Sequence, residues 1–318
     1  MRLWLALAAL PVVVMIPGCS GGSAGRPPVI WDKPHPAGET VERRIGRYTV
    51  RLYNDNLNSE SQSVAQLFLG DRLVWTRTGY RFFLAPCDSE DCTYDLPTPK
   101  ERLEEVCGRD INGDGWPELV IMEWSGGAHA AYTYWILSLQ KQPVELIELS
   151  LGSGQLAISD LNYDGVPELL AHNYSFAYWH ECFAASPAPT MIFQWRNGRY
   201  ELATRDFISL DDPHLKRRRA KLPELMADWR LTVGDGPGWA PEGEPASLPP
   251  TELWSLMLDY IHCGEGRAAR QLVEECWDPT IRGKAEFLKE FDAKLRRGRF
   301  WMLVEAMTPK AKRWTTDL

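Results

Sequence analysis

Basic charge is in deficit in this chain: 35 Lys and Arg stand against 43 Asp and Glu, a formal net charge of −8. An acidic surface repels phosphate backbones, so nucleic acid is not expected as a partner. The two basic runs, Lys216-Arg-Arg-Arg219 and Arg296-Arg-Gly-Arg299, read as solvated helix faces. Catalytic signatures are missing as well. There is no nucleophile elbow, H-E-x-x-H, P-loop or dinucleotide fingerprint, which leaves His129, His180 and Glu181 as acid–base candidates without a recognisable partner set. No C-x-x-C pair occurs, so a zinc site built from His262, Cys263 and Cys276 is not expected. Beyond residue 16 no apolar stretch is long enough to make a membrane-spanning helix.

What the chain does have is one unusual pattern written twice, fifty residues apart: Asp110-Ile-Asn112-Gly-Asp114-Gly115-Trp116-Pro-Glu118 and Asp160-Leu-Asn162-Tyr-Asp164-Gly165-Val166-Pro-Glu168. Oxygen-bearing side chains fall at positions 1, 3, 5 and 9, and Gly occupies position 6, where the chain must reverse. Calcium takes roughly six to eight hard oxygens, and a tight loop aims alternate side chains and one carbonyl at a single point. The carbonyls of Trp116 and Val166 supply the seventh position. Two Ca²⁺ ions are therefore expected, held by Asp110, Asn112, Asp114, Trp116 and Glu118, and by Asp160, Asn162, Asp164, Val166 and Glu168. An EF-hand is excluded, because its bidentate Glu at position 12 is replaced by Ile121 and Ala171. The apolar runs that follow, Leu119-Val-Ile-Met122 and Leu169-Leu-Ala171, read as strands. With these loops leading into strands, the chain resembles the FG-GAP and VCBS-type repeats of β-propellers.

The N-terminus carries an address. Arg2, an apolar run from Leu3 to Ile16 and then Ile16-Pro-Gly-Cys19 read as a secretory signal and lipobox over residues 1–18, with Cys19 lipidated. Residues 19–39, rich in Gly, Ser and Pro, form a flexible tether to the membrane. Ser20 after the Cys resembles outer-membrane rather than inner-membrane lipoproteins, so a lipid-anchored protein of the bacterial cell envelope is expected. Six further cysteines, Cys87, Cys92, Cys107, Cys182, Cys263 and Cys276, imply three disulfides in an oxidising compartment, with fifteen formal pairings. Cys87 with Cys92, Cys263 with Cys276 across a helical hairpin, and Cys107 with Cys182 by elimination are the expected set.

Short alternating runs joined by Gly70-Asp71 and Asn197-Gly198 turns make residues 40–208 an antiparallel β repeat domain, propeller-like or a sandwich. Trp124 and Tyr174 both lie fourteen residues after the first Asp of their loop, so the repeat extends past the loops. Residues 209–249 read as a helix, placed near Pro213–Trp229, and a Pro/Gly-rich linker. Apolar positions recur at helical spacing from Leu253 to Leu295, which marks residues 250–318 as a small α-helical C-terminal module. Aromatic side chains gather after each acidic loop: Trp124 and His129 after the first, Tyr174, Trp179 and His180 after the second. They either fill the β core or form a surface on which a sugar ring or a protein partner docks. The expected function is a non-enzymatic, calcium-binding envelope lipoprotein with a binding or scaffolding role. The alternative is a secreted hydrolase or carbohydrate-binding protein that uses the His and aromatic cluster.

Overall fold

The computed structural model describes residues 38–55, 62–84, 106–126, 131–234, 236–239 and 247–315. Twelve strands and six α-helices run through these residues. The first antiparallel sheet holds β1 (Glu39–Ile45), β2 (Tyr48–Asn54), β3 (Ser63–Leu69) and β4 (Arg72–Gly79). The second holds β5 (Arg81–Leu84), β6 (Glu118–Trp124), β7 (Tyr132–Ser138) and β8 (Val144–Gly152). β9 (Ala157–Ser159), β10 (Glu168–His172), β11 (Thr190–Arg196) and β12 (Arg199–Leu202) form the third. In every sheet neighbours in sequence are neighbours in space, so each is a four-stranded meander.

Local sequence accounts for the strand positions. β1 is charged and exposed along most of its length, which suits an edge that must not recruit another strand. β3, buried from Ser63 to Phe68, lies inside the same sheet. The β11–β12 hairpin closes through Asn197 and Gly198 at φ of 53° and 77°, the positive pair that a type I′ turn requires. Buried and half-buried polar groups tie strands of the first and second sheets together. The Asn54 amide donates to the Phe82 carbonyl at 2.7 Å and accepts the Phe82 N–H at 2.8 Å. Glu145 of β8 accepts from Trp75 and Arg77 of β4 at 2.9 and 2.8 Å.

Strand gives way to helix at Ala203, before α1 (Thr204–Phe207), α2 (Pro213–Val233), α3 (Thr251–His262), α4 (Gly266–Cys276), α5 (Lys284–Arg297) and α6 (Trp301–Met307). Asp212 caps α2 by accepting from His214 and Leu215 N–H groups, and Pro213 follows at the first turn, where its missing N–H costs nothing. Leu215, Leu222, Met226, Trp229 and Val233 form the buried stripe of α2. α3 is buried on nearly every side and is the central helix. Its acids, Glu252 and Asp259, hold Arg218 of α2. Arg218 is thus turned inward, so the first basic run is only partly the solvated face that its composition suggests.

The cysteines depart from expectation. Cys182, Cys263 and Cys276 are free thiols, so neither the Cys263–Cys276 nor the Cys107–Cys182 pairing is made. Cys263 sits in the turn between α3 and α4, whereas Cys276 ends α4, about 16–20 Å away along the helix. A disulfide needs α-carbons within roughly 7 Å. Cys107 instead points its thiol at the Val120 carbonyl, 3.6 Å away. Cys87 and Cys92, like Cys19, lie outside the described residues.

Candidate functional site

Each acidic loop stands just before the second strand of its sheet, β6 or β10, and the two are built to one plan. In the first, Asp110 accepts the Gly113 N–H at 2.7 Å and the Gly115 N–H at 2.8 Å. Asn112 accepts from Asp114 N–H at 2.9 Å, and Asp114 from Trp116 N–H at 2.8 Å. In the second, Asp160 accepts from Asp164 and Gly165 at 3.1 and 2.9 Å, Asn162 from Asp164 at 3.0 Å, and Asp164 from Val166 at 2.8 Å. Gly115 and Gly165 turn the chain at φ of 87° and 88°, backbone that an L side chain rarely adopts. The repeat register persists beneath the loops. Glu118 exchanges backbone hydrogen bonds with Gly108 and Arg109, and Glu168 pairs with Ser159, fifty positions after Arg109. The loops are also neighbours in space, since a Cβ on Gly113 would stand 3.2 Å from a methyl of Val166.

Position 9 is where the electrostatics concentrate. Glu118 and Glu168 are both fully buried at the start of their strands. Glu118 Oε2 accepts the Ile111 N–H and Glu168 Oε2 the Leu161 N–H, each at 2.8 Å, so both carboxylates close the base of their loop in the same way. Burial pushes the Glu118 carboxyl up to about 7 against the Ile111 and Ser138 hydrogen bonds, and the charges of Asp114 and Asp110 add to the rise. Glu168 is raised for the same first reason, burial, and by Asp164 and Asp160. Glu118 Oε1 is buried and has no hydrogen-bond partner. A buried carboxylate oxygen left in that state is costly, and either a proton or a hard cation would relieve it. Across these loops the oxygens of Asp, Asn and Glu and the carbonyls of Trp116 and Val166 are the donor set suited to such an ion. Among the described residues no three acidic, His or Cys side chains are already gathered around one point; the carboxylates hold their own backbone N–H groups instead.

Four further residues near the loops were not visible in the pattern. Ser138 and Gln140, on and after β7, reach Asp114 Oδ2 at 3.4 and 3.2 Å. Gln194 of β11 donates to Glu168 Oε1 at 3.0 Å. Tyr200 of β12 is buried with an unpartnered hydroxyl, its ionisation opposed first by burial and then by the charges of Glu118, Asp114 and Asp110. Only strand register brings these residues to the loops, and register depends on pairings that spacing within the motif does not encode.

The aromatic residues separate into two groups. Trp179 is buried among Phe176, Trp239, Trp254 and Phe291 with ring centroids 5.1–5.9 Å apart. Its indole N–H and that of Trp239 both donate to Glu290 of α5, at 3.1 and 2.9 Å, and His180 Nε2 lies 2.6 Å from the same carboxylate. Trp179 and His180 therefore seam the third sheet to the helices, and Glu290, unmarked by any motif, is the hub. Trp124 stands elsewhere, edge-on to Tyr80 at 5.8 Å. Trp124 pairs with Tyr132, Tyr132 with Gly152, and Gly152 lies beside Tyr174, so half-buried rings form a row across β6, β7 and the turn after β10. Tyr174 stacks on Phe183 at 5.6 Å. His129 lies outside the described residues. No helix among the described residues is long and apolar enough to cross a membrane. No family model, curated protein or solved structure matches this chain.

Proposed function

We propose that the chain is a calcium-binding lipoprotein of the bacterial cell envelope, tethered through Cys19, whose β domain is stiffened by ions in the two acidic loops and serves a non-enzymatic binding or scaffolding role. One observation carries the calcium reading: Glu118 is buried in the first loop with one carboxylate oxygen unpartnered, and positions 1, 3 and 5 of that loop, Asp110, Asn112 and Asp114, carry hard oxygen donors. The duplication of the same turn around Asp160–Glu168 supports a second ion. Three consecutive four-stranded meanders, two of them carrying a loop before the second strand, favour propeller-like blades over a sandwich. Ions bound only by the folded chain add stability by mass action.

Calorimetry on the full mature chain in detergent, after chelation, is expected to register calcium uptake and a melting temperature that rises with calcium. Absence of both ends the reading. A Cys19→Ser variant is expected to leave the membrane fraction, which checks the tether separately. The half-buried row of Trp124, Tyr132 and Tyr174 supports a second reading, in which the domain binds polysaccharide or a protein partner there. A glycan-binding screen with Trp124→Ala as control tests it: the reading requires a retained glycan that the variant loses.

A further inference from the structure

We infer that the two loops are unequal calcium sites, the first tight and the second weak, and that the residue facing position 9 from the neighbouring strand, Ser138 or Gln194, sets the difference. The inference rests on the calcium reading above and concerns which side chains tune it.

The two position-9 carboxylates are alike in burial and in the backbone N–H that each accepts on Oε2. They differ at Oε1. In the second sheet Glu118 pairs with Ser138 across β6 and β7. The Ser hydroxyl is shared between the Glu118 carboxyl and Asp114 Oδ2, 3.4 Å from the latter, and Glu118 Oε1 itself is buried with no hydrogen-bond partner. In the third sheet Gln194 lies one step beyond the Leu169–Phe193 pair, and its longer side chain carries an amide to Glu168 Oε1 at 3.0 Å.

An ion at the first loop meets an oxygen that has already lost its water and gained nothing in return, so coordination recovers that desolvation cost. At the second loop the ion competes with a hydrogen bond to a charged group, the stronger kind. The amide also draws charge away from the carboxylate that would hold the ion. Groups one step behind a metal ligand typically change affinity by roughly 10–100-fold, and here such a group reaches Oε1 in the second loop and not in the first.

Calorimetric titration of the chelated full mature chain with Ca²⁺ is expected to show two phases at least about tenfold apart in affinity. Glu118→Gln should abolish the tighter phase and keep the weaker. Gln194→Ser should strengthen the weaker phase about tenfold, and Ser138→Gln should weaken the tighter one by a similar factor. Gln194→Ala, which also lacks the amide, should match Gln194→Ser; far-UV circular dichroism confirms that each variant folds. Two phases of equal affinity, loss of the weaker phase in Glu118→Gln, or a weaker phase unmoved by both Gln194 variants would overturn the inference while leaving calcium binding intact. No calcium uptake by the wild-type chain would overturn both.

Discussion

At the scale of single residues, the two loops expose their differences because their backbones agree. Position 4 is Gly113 in one copy and Tyr163 in the other, at φ of 76° and 61°. A left-handed backbone costs a residue with a side chain roughly 1–2 kcal/mol, and Tyr163, 91% exposed, recovers nothing by packing. Tyr163→Gly is therefore expected to stabilise the protein by about 0.5–1 kcal/mol after the entropy cost of Gly is set against the relief. A rise in the urea midpoint at constant slope is the supporting result; a fall would mean that the ring is held by a contact of its own. Thiol chemistry offers a second test at this scale. Cys182 is exposed, whereas burial pushes the Cys263 thiol up to about 12. A maleimide is expected to label Cys182 in the native chain and Cys263 only after unfolding, because the thiolate is the reactive form. A native chain in which both resist labelling until reduced would restore the disulfides expected from the cysteine count. The two matching acidic turns were legible from residue spacing alone. Ser138, Gln194 and Glu290 were not, because each acts across a pairing between elements far apart in sequence.

Elements follow from local signals more faithfully than their docking does. The Gly70-Asp71 and Asn197-Gly198 turns sit between the expected strands, and the apolar positions at 253–261 and 287–295 lie on the buried faces of α3 and α5. Periodicity reports which face is apolar, and that was enough. What it does not report is the partner. Trp179 and His180 could be read as a binding surface because their burial depends on Trp239, Trp254 and Glu290, all of them 59 or more positions away in a segment with a different period. The cysteine hairpin failed for a related reason: two residues at the two ends of one helix share a hairpin but not a height. Capping is the local signal most open to test. Asp212 satisfies two N–H groups at the start of α2, the helix that carries Arg218 to α3 and Trp229 to Trp277. Asp212→Ala is expected to cost about 1 kcal/mol. Asp212→Asn keeps the acceptor and should recover most of that loss, so equal destabilisation by both variants would assign the effect to charge rather than capping.

For the molecule as a whole, one buried hydrogen-bond relay joins the third sheet to the central helix, and it gives stability a pH dependence. His262 ends α3 with its ring almost wholly buried. Nδ1 donates to the Leu258 carbonyl at 2.8 Å, and Nε2 accepts from the Asn173 amide at 3.0 Å; Asn173 in turn accepts from Ser175. Both ring nitrogens are thereby used by the neutral form, and burial lowers the imidazole to about 4. An unfolded chain would titrate this ring near 6.5. Between those values the unfolded state holds the extra proton, so stability rises with pH there. The contribution is fully present above about pH 6.5 and is lost as pH falls towards 4, amounting to roughly 3 kcal/mol. Acid loosening should thus begin where helices meet β-sheet, at the seam that also holds Trp179. Denaturation of wild type and His262→Gln across pH 4–7 isolates the effect, because the other titrating carboxylates, Glu118 among them, are common to both and cancel in the difference. The variant is expected to lose stability at pH 7 and to converge on wild type as pH approaches 4. A constant gap across the range would show that the proton never reaches His262 and that the relay contributes packing alone.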